Sequence, residues 1–505
     1  MTVVKIKATD GSDVAFDDKI IGQGGMKDVY FAPDRSYVVA FFRDKQDVNS
    51  RERLKAITST YRDKVFNQTG GDYWNNLFCW PTKIVEYNGK YGIVAPVYLS
   101  DFFFKYGSTQ NDYLGLKGKE KEGKWFASAL HRNKNLELKE RGDWLNYFRV
   151  CILTSRAVRR MHAAGLAHSD LSYKNVLIDP CGGHACIIDI DGLVVPGKYP
   201  PGVVGTPDFI APEVIKTQRM ALDDPKKQLP RRETDQHALA VLIYMYLLCR
   251  HPLRGRKVHD FDDATVDEEL AMGEKATFIE HPTNSENRYD LKWVNNNEGS
   301  RAQYLLPWWD LNKLPYTILG PYLSELVHRA FVVGLHAPTQ RPSADDWESA
   351  LVRTVDLIQP CQNPSCHQKW YVFDNTTKPK CPFCGTPFTG QLPVLNFYSK
   401  RGSGRYSPDN VRLMVYSNQY LYQWHVNRNI FPNEKLSAED KKPVGYFVFH
   451  QGKWVFINQT LPNMKDLTTG QEVKPNQMVE LADGKQLLLS PADGGRVVQV
   501  QLVRV

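Results

Sequence analysis

Apolar and polar positions alternate at the start of the chain. The stretch "MTVVKIKATDGSDVAF" has the period of two that a half-buried strand requires. Next, "IGQGGMKDVYFAPDRSYVVAFFRD" sets a Gly-rich turn between two strand-like runs, and "SRERLKAITSTYRDKVF" (50–66) reads as a helix. Further along, Ile187 and Ile188 read as a buried strand, and "DQHALAVLIYMYLLCRHPL" (235–253) as a hydrophobic central helix. Between these, the polar segment at about 104–140, with its "KGKEKEGK" run, is expected to be an inserted flap or a disordered loop. A second irregular stretch, roughly 254–320, carries Trp308 and Trp309, whose rings are expected to cover the core. From 393 onward the pattern returns to short alternating runs such as "VGYFVFHQGKWVFI" and "RVVQVQLVRV", separated by Gly, Asn and Pro turns, which predicts an all-β sandwich or small barrel.

Composition bounds the setting. At 505 residues, with 42% apolar and 24% charged, the chain is ordinary globular material for two to four domains. It has no run of about 18 apolar residues to span a bilayer, and its start lacks the basic and apolar blocks of a secretory signal, so a cytoplasmic location is expected. A net charge of +8 without a basic block does not indicate nucleic-acid or membrane binding. Cysteine usage is more telling. Cys361, Cys366, Cys381 and Cys384 read C-x4-C, fourteen residues, C-x2-C, the spacing of two knuckles closing a tetrahedral thiolate site on Zn²⁺. Two disulfides would conflict with a cytosolic chain, and His367 ranks below the four thiolates as a ligand. "CGGHAC" (Cys181, His184, Cys186) reads more simply as a tight hairpin than as a second metal site.

The densest chemistry lies in "HAAGLAHSDLSYKNVLID" followed by "ACIIDIDGL". This stretch resembles the catalytic loop and metal-binding turn of a eukaryotic-like protein kinase, H-R-D-L-x-x-x-N and then D-F-G. The Gly-rich turn at 22–30, "GTPDFIAPE" at 205–213, the helix at 235–253 and "QRPSADDWESAL" at 340–351 match in kinase order, so the resemblance covers roughly 15–357. It implies a bilobal α+β kinase-like fold, ATP and Mg²⁺ as cofactors, and a protein substrate. On the matched positions, Asp170 accepts or orients the proton of the attacking hydroxyl, Asn175 binds Mg²⁺, His168 holds the loop, and Lys174 contacts the γ-phosphate. The metal turn departs from D-F-G. Asp189 aligns with the Mg²⁺-binding aspartate and Asp191 replaces the glycine; both could approach the metal, and a shifted register would exchange their roles.

The third strand departs as well. Ala40 roofs the adenine, but the position two residues on, where kinases carry the phosphate-gripping lysine, is Phe42. Arg43 is one residue out of phase and should point away from the cleft. Lys27, two residues before Val29, shares that residue's face, and "GQGGMKDVY" is similar to the loop of the with-no-lysine kinases, in which the lysine reaches in from the second strand. The expected nucleotide site therefore comprises Gly22, Gly24, Gly25, Lys27, Val29, Ala40, Glu52 as partner of Lys27, and the hinge "APVYL" with Pro96 and Tyr98.

Ser169 replaces the arginine that in many kinases reads a phosphorylated activation loop, and "GLVVPGKYPPGVV" holds no Ser or Thr, only Tyr199. A switch by loop Ser/Thr phosphorylation is not expected, and Pro196, Pro200 and Pro201 should stiffen the segment. Glu213 and Arg341 should form a buried ion pair, and Asp235 should brace the catalytic loop. The expected domains are a kinase-like domain over 1–358 (N-lobe about 1–97, C-lobe about 98–358), a zinc ribbon over 359–390 and a β-rich module over 391–505. The module weakly resembles a forkhead-associated domain without that family's phosphothreonine contacts. This order of parts resembles the kinase member of bacterial tellurite-resistance-linked triads, which implies a von Willebrand factor A-domain protein and a PP2C-type phosphatase as partners. Two functions are in view: an active Ser/Thr kinase phosphorylating itself or a partner, or a pseudokinase scaffold that binds nucleotide weakly or not at all.

Overall fold

The computed structural model describes residues 2–23, 26–67, 71–199, 205–221, 223–373, 379–402 and 404–504. The chain divides into two compact units, Met1–Tyr316 with Ser324–Ser349, and Thr317–Leu323 with Ala350–Val505. No helix among the described residues is long and apolar enough to cross a membrane.

The first unit opens with an antiparallel hairpin, β1 (Val3–Lys7) and β2 (Asp13–Asp17). Five further strands follow: β3 (Ile20–Gln23), β4 (Lys27–Phe31), β5 (Tyr37–Phe42), β6 (Lys83–Tyr87) and β7 (Lys90–Pro96). They form one antiparallel sheet in the order β3-β4-β5-β7-β6. Alternation along β5 separates two cores. Val39 and Phe41 pack with Val14 and Phe16 of the hairpin, whereas Ala40 and Phe42 pack with Leu54, Ile84, Tyr91 and Ile93 on the other face. Leu54 comes from helix α1 (Val48–Ala56), which begins where the Asp47 carboxylate accepts the Ser50 N–H at 2.7 Å and continues through Phe66 by way of a wider turn at Ile57–Tyr61.

Beyond the sheet the unit is mainly helical. Helix α2 (Trp144–Ala163) and the almost wholly buried α3 (Arg232–Leu248) pack together beside a hairpin of β8 (Val176–Asp179) and β9 (His184–Ile187). The segment expected as a flap or disordered loop is instead folded onto this core. Phe104, Leu116, Phe126 and Ala129 are buried, Ile178 donates to the Lys121 carbonyl at 3.0 Å, and the buried Lys121 ammonium meets Asp179 at 2.9 Å and Glu140 at 3.4 Å. Its charged run is anchored through this lysine and through irregularly spaced aromatics. Trp308 is buried as expected, and Trp309 stacks on Tyr289 at 5.5 Å. The Glu213–Arg341 pair forms, with two contacts at 2.8 and 2.7 Å.

In the second unit, β10 (Ile358–Pro360) and β11 (Trp370–Val372) pair and carry the four-cysteine segment. A two-sheet antiparallel sandwich follows. One sheet orders β13-β12-β20-β19-β17 (Tyr406–Met414, Gln391–Lys400, Arg496–Arg504, Gln486–Leu488, Lys465–Asp466), the other β14-β15-β16-β18 (Tyr420–Tyr422, Pro443–His450, Lys453–Asn458, Met478–Glu480). Side chains of both sheets, among them Phe397, Val498, Phe447 and Phe456, share one buried core.

Candidate active site and metal centre

Lys27 leaves β4 directly opposite Phe42 of β5, its Cα partner in the ladder. The Phe42 ring lies in the apolar core behind it, 5.4 Å from the ammonium. The same face brings Val29 against Ala40. From there Lys27 reaches across to the turn after β9. Its Nζ donates to both Asp191 oxygens at 2.7 Å and to Asp189 Oδ1 at 3.0 Å. Burial alone would lower the Lys27 pKa, but the two carboxylates outweigh it and raise it. The converse holds at Asp189, where burial acts upward and Lys27 brings the net shift down. Arg43 turns the other way, to Asp28 at 2.9 Å.

Glu52 requires a correction. It is exposed and pairs with Lys55 at 2.9 Å, so it is not the partner of Lys27. One residue is 100° of helix, and the next residue, Arg53, is half-buried: burial lowers its pKa, and the Asp191 charge opposes that.

The catalytic loop lies alongside. Asn175 Nδ2 donates to the Asp170 carbonyl at 2.8 Å and to Asp170 Oδ2 at 2.9 Å, while Thr206 Oγ1 donates to Asp170 Oδ1 at 2.8 Å. Both oxygens of Asp170 are thus held, and Asn175 keeps its own oxygen for a cation. Ser169 and Asp189 have left-handed backbones, φ 65° and 60°, a conformation unusual outside glycine that turns each loop sharply. The turns are locked to each other: His168 Nε2 donates to the Ile188 carbonyl at 3.0 Å, and Ile188 N–H to the Asn175 carbonyl at 3.0 Å. Asp235 of α3 accepts from the His168 N–H at 2.8 Å and lies 3.0 Å from His162 Nε2. Lys174 is exposed beside this loop.

At the hinge end, Tyr98, Cys79 and Ile188 pack against Phe102, Leu177 and Cys186. Burial, with help from Asp191, pushes the Cys79 thiol up to about 12, so it stays protonated as it contacts the Pro96 carbonyl at 3.4 Å. Gly22 lies opposite Val29, while Gly24, Gly25, Pro200 and Pro201 fall outside the described residues. Thr206 and Ser172, whose hydroxyls are 3.3 Å apart, join the candidate site without having been expected there. Thr206 lies 36 positions from Asp170, and no local pattern marks that contact.

A hydrated Mg²⁺ seeks hard oxygens, and Asp189 Oδ2 with the Asn175 oxygen are of that kind, so these residues fit such an ion. The four cysteines also converge. Sulfur–sulfur distances are 3.5 Å for Cys361–Cys384 and 3.9 Å for Cys366–Cys381, against about 3.8 Å for the edge of a tetrahedron with 2.3 Å Zn–S bonds. All four are free thiols, and their ligand atoms gather within 4.8 Å, which is compatible with zinc; His367 is exposed and outside the cluster. Gly385, with φ 79°, makes the left-handed turn that closes the second knuckle. At the other hairpin, His184 lies near Asp101 (3.3 Å) and Asp179 (3.9 Å), while the exposed Cys181 donates to the Lys139 carbonyl at 3.1 Å and Cys186 is buried.

Comparison with known proteins agrees with this cleft. Residues 121–344 match the family model "Protein kinase domain". Serine/threonine-protein kinase PknD of Chlamydia abortus is 26% identical over 287 residues, 50% of this chain and 26% of that protein. Protein kinase C-like 1 of Saccharomyces cerevisiae is 31% identical over 117 residues, 22% of this chain and 9% of the relative. PkaB of Streptomyces coelicolor, a serine/threonine-protein kinase, is 30% identical over 105 residues, 19% of this chain and 23% of the relative. The chain thus spans about a quarter or less of the length of these relatives. Residues 121–344 are similar to a protein kinase domain, and the relatives that match are serine/threonine kinases and a protein kinase C-like protein. The family match begins after the strand that bears Lys27.

Proposed function

We propose that the chain is a Mg-ATP-dependent protein Ser/Thr kinase that phosphorylates itself or a partner protein, with Lys27 in the role of the phosphate-binding lysine. The observation that carries this reading is the meeting of Lys27 with Asp189, 3.0 Å apart, beside a catalytic loop whose Asp170 is held on both oxygens. Asp170 orients the acceptor hydroxyl and takes its proton, Thr206 and Asn175 hold that carboxylate in place, and Lys27 and Lys174 bind phosphate oxygens. Asn175 and Asp189 hold Mg²⁺, with Asp191 beside them; when bound, the ion neutralises charge on the transferring phosphoryl group.

The test is intact-mass phosphate incorporation with Mg²⁺-ATP, comparing wild type with Lys27→Met and Asp170→Asn. Loss in both variants is expected, and transfer lost only in Asp170→Asn would remove Lys27 from the mechanism. Phe42, buried where a lysine would stand, favours the second reading, a pseudokinase scaffold. Absence of transfer under every condition would select it. The ribbon and sandwich are assigned to partner recruitment, Zn²⁺ holding the ribbon, with the A-domain protein and PP2C-type phosphatase of the tellurite-resistance-linked triads as candidates. Undiminished capture of the A-domain protein by a chain ending before 359 would refute that assignment.

A further inference from the structure

The two carboxylates at the metal turn are not equivalent. Asp189 is open, its side chain 45% exposed, and gives Lys27 a single oxygen, which leaves Oδ2 directed elsewhere. Asp191 is enclosed, its side chain 9% exposed, and commits both oxygens to the same ammonium at 2.7 Å. A magnesium ion that retains several waters needs room and a free oxygen at near-octahedral geometry, which Asp189 can give and Asp191 cannot. A lysine that must keep one position needs a fixed, desolvated counter-charge, which Asp191 supplies.

The helix beside the sheet does not supply that charge. In a protein kinase a glutamate on this helix pairs with the phosphate-binding lysine. Here Glu52 is turned outward to Lys55, and the next residue, Arg53, is half-buried and is a cation.

We propose that Asp191 is a positioning residue that anchors Lys27, doing the work a helix glutamate does in other kinases, while Asp189 alone of the pair serves the metal. This rests on the kinase reading above for its consequence, though not for its geometry. The anchor is carried by the turn that opens the activation segment, so Lys27 is placed by that turn and not by movement of α1.

Two measurements on the full chain test it. The first is a thermal-denaturation cycle without ligand. Lys27→Met and Asp191→Asn should be non-additive, the double variant losing no more Tm than the worse single one, whereas Lys27→Met and Glu52→Gln should add. Additivity of the first pair would overturn the anchor whatever the chain's activity. The second is titration with ADP in the absence of divalent metal, then with Mg²⁺. Asp191→Asn and Lys27→Met should each weaken metal-free binding about tenfold or more, with part of it recovered in Asp191→Glu. Asp189→Asn, which removes the weaker of the two Lys27 contacts, should weaken metal-free binding less than Asp191→Asn does and raise the Mg²⁺ concentration needed for its effect. If Asp191→Asn behaves like Asp189→Asn, Asp191 is a metal ligand and the proposal fails. A wild-type chain that binds no nucleotide would sink the kinase reading, while the ligand-free cycle would still decide the anchor.

Discussion

Thr206, in the "GTPDFIAPE" stretch, holds the Asp170 carboxylate through a contact that no local pattern in the sequence marks. Its hydroxyl donates to Asp170 Oδ1 at 2.8 Å, and a hydrogen bond to a charged group contributes about 1.5–3 kcal/mol. Thr206→Val keeps the shape and removes the donor, so kcat for phosphate transfer should fall about ten- to a hundredfold with little change in the KM for ATP, measurable by steady-state kinetics. His251 offers a pH-dependent counterpart. Its Nδ1 accepts the Leu253 N–H at 3.1 Å and its Nε2 donates to the Asp208 carbonyl at 2.9 Å, so the neutral ring is fully used. Burial, opposed by Asp208, depresses its pKa to about 4 from 6.5. Between those values the unfolded chain binds a proton that the folded chain does not. Stability should therefore fall as pH drops from about 6.5 to 4, by at most about 3 kcal/mol from this group, and His251→Gln should flatten that part of a denaturation-versus-pH curve. At this scale the face of β4 that Lys27 shares with Val29 was legible, because strand alternation fixes faces with a period of two. Glu52 was not: a helix turns 100° per residue, and nothing in "SRERLK" states its rotation about the axis.

Among elements, the pairing of β4 with β5 does most to shape the cleft, since it sets Lys27 against Phe42 and Val29 against Ala40. Farther down, Arg341 joins three parts of the first unit, giving hydrogen bonds to Glu213, to the Glu233 carbonyl at 2.9 Å and to the Leu335 carbonyl at 2.9 Å. Removing one member of a buried pair strands the other, and Glu213→Ala should cost about 3–5 kcal/mol in denaturant unfolding. The ion pair could be read from its two motifs. The folding of residues 104–140 could not, because eight charged and glycine residues in "KGKEKEGK" dominate any local average while Phe104, Leu116 and Phe126 follow no helical or strand period.

Over the whole molecule, the β-rich character of the C-terminal region was legible and its internal joints were not. The cysteine spacing announces a ribbon, yet not that its neighbours bind it to the sandwich: the Met414 N–H reaches the Asp356 carbonyl at 2.8 Å, and His425 lies 3.2 Å from Asp356. Metal analysis of the purified chain should find one zinc per molecule. Chelation or Cys381→Ser should unfold the ribbon, while the sandwich, with its own two-sheet core, keeps its β-sheet circular dichroism.

The place of Lys27 also leaves a mark in a protease digest. An amine-acylating ATP analogue that reacts near the phosphates would modify Lys27, since the third strand offers only Phe42 there. Trypsin would then fail to cut between "IIGQGGMK" and "DVYFAPDR", and the two peptides would fly in the mass spectrometer as one, spanning 20–35. A survey that looks for kinases by a labelled lysine on the third strand would pass this chain by, and the fused peptide is the mass by which to find it.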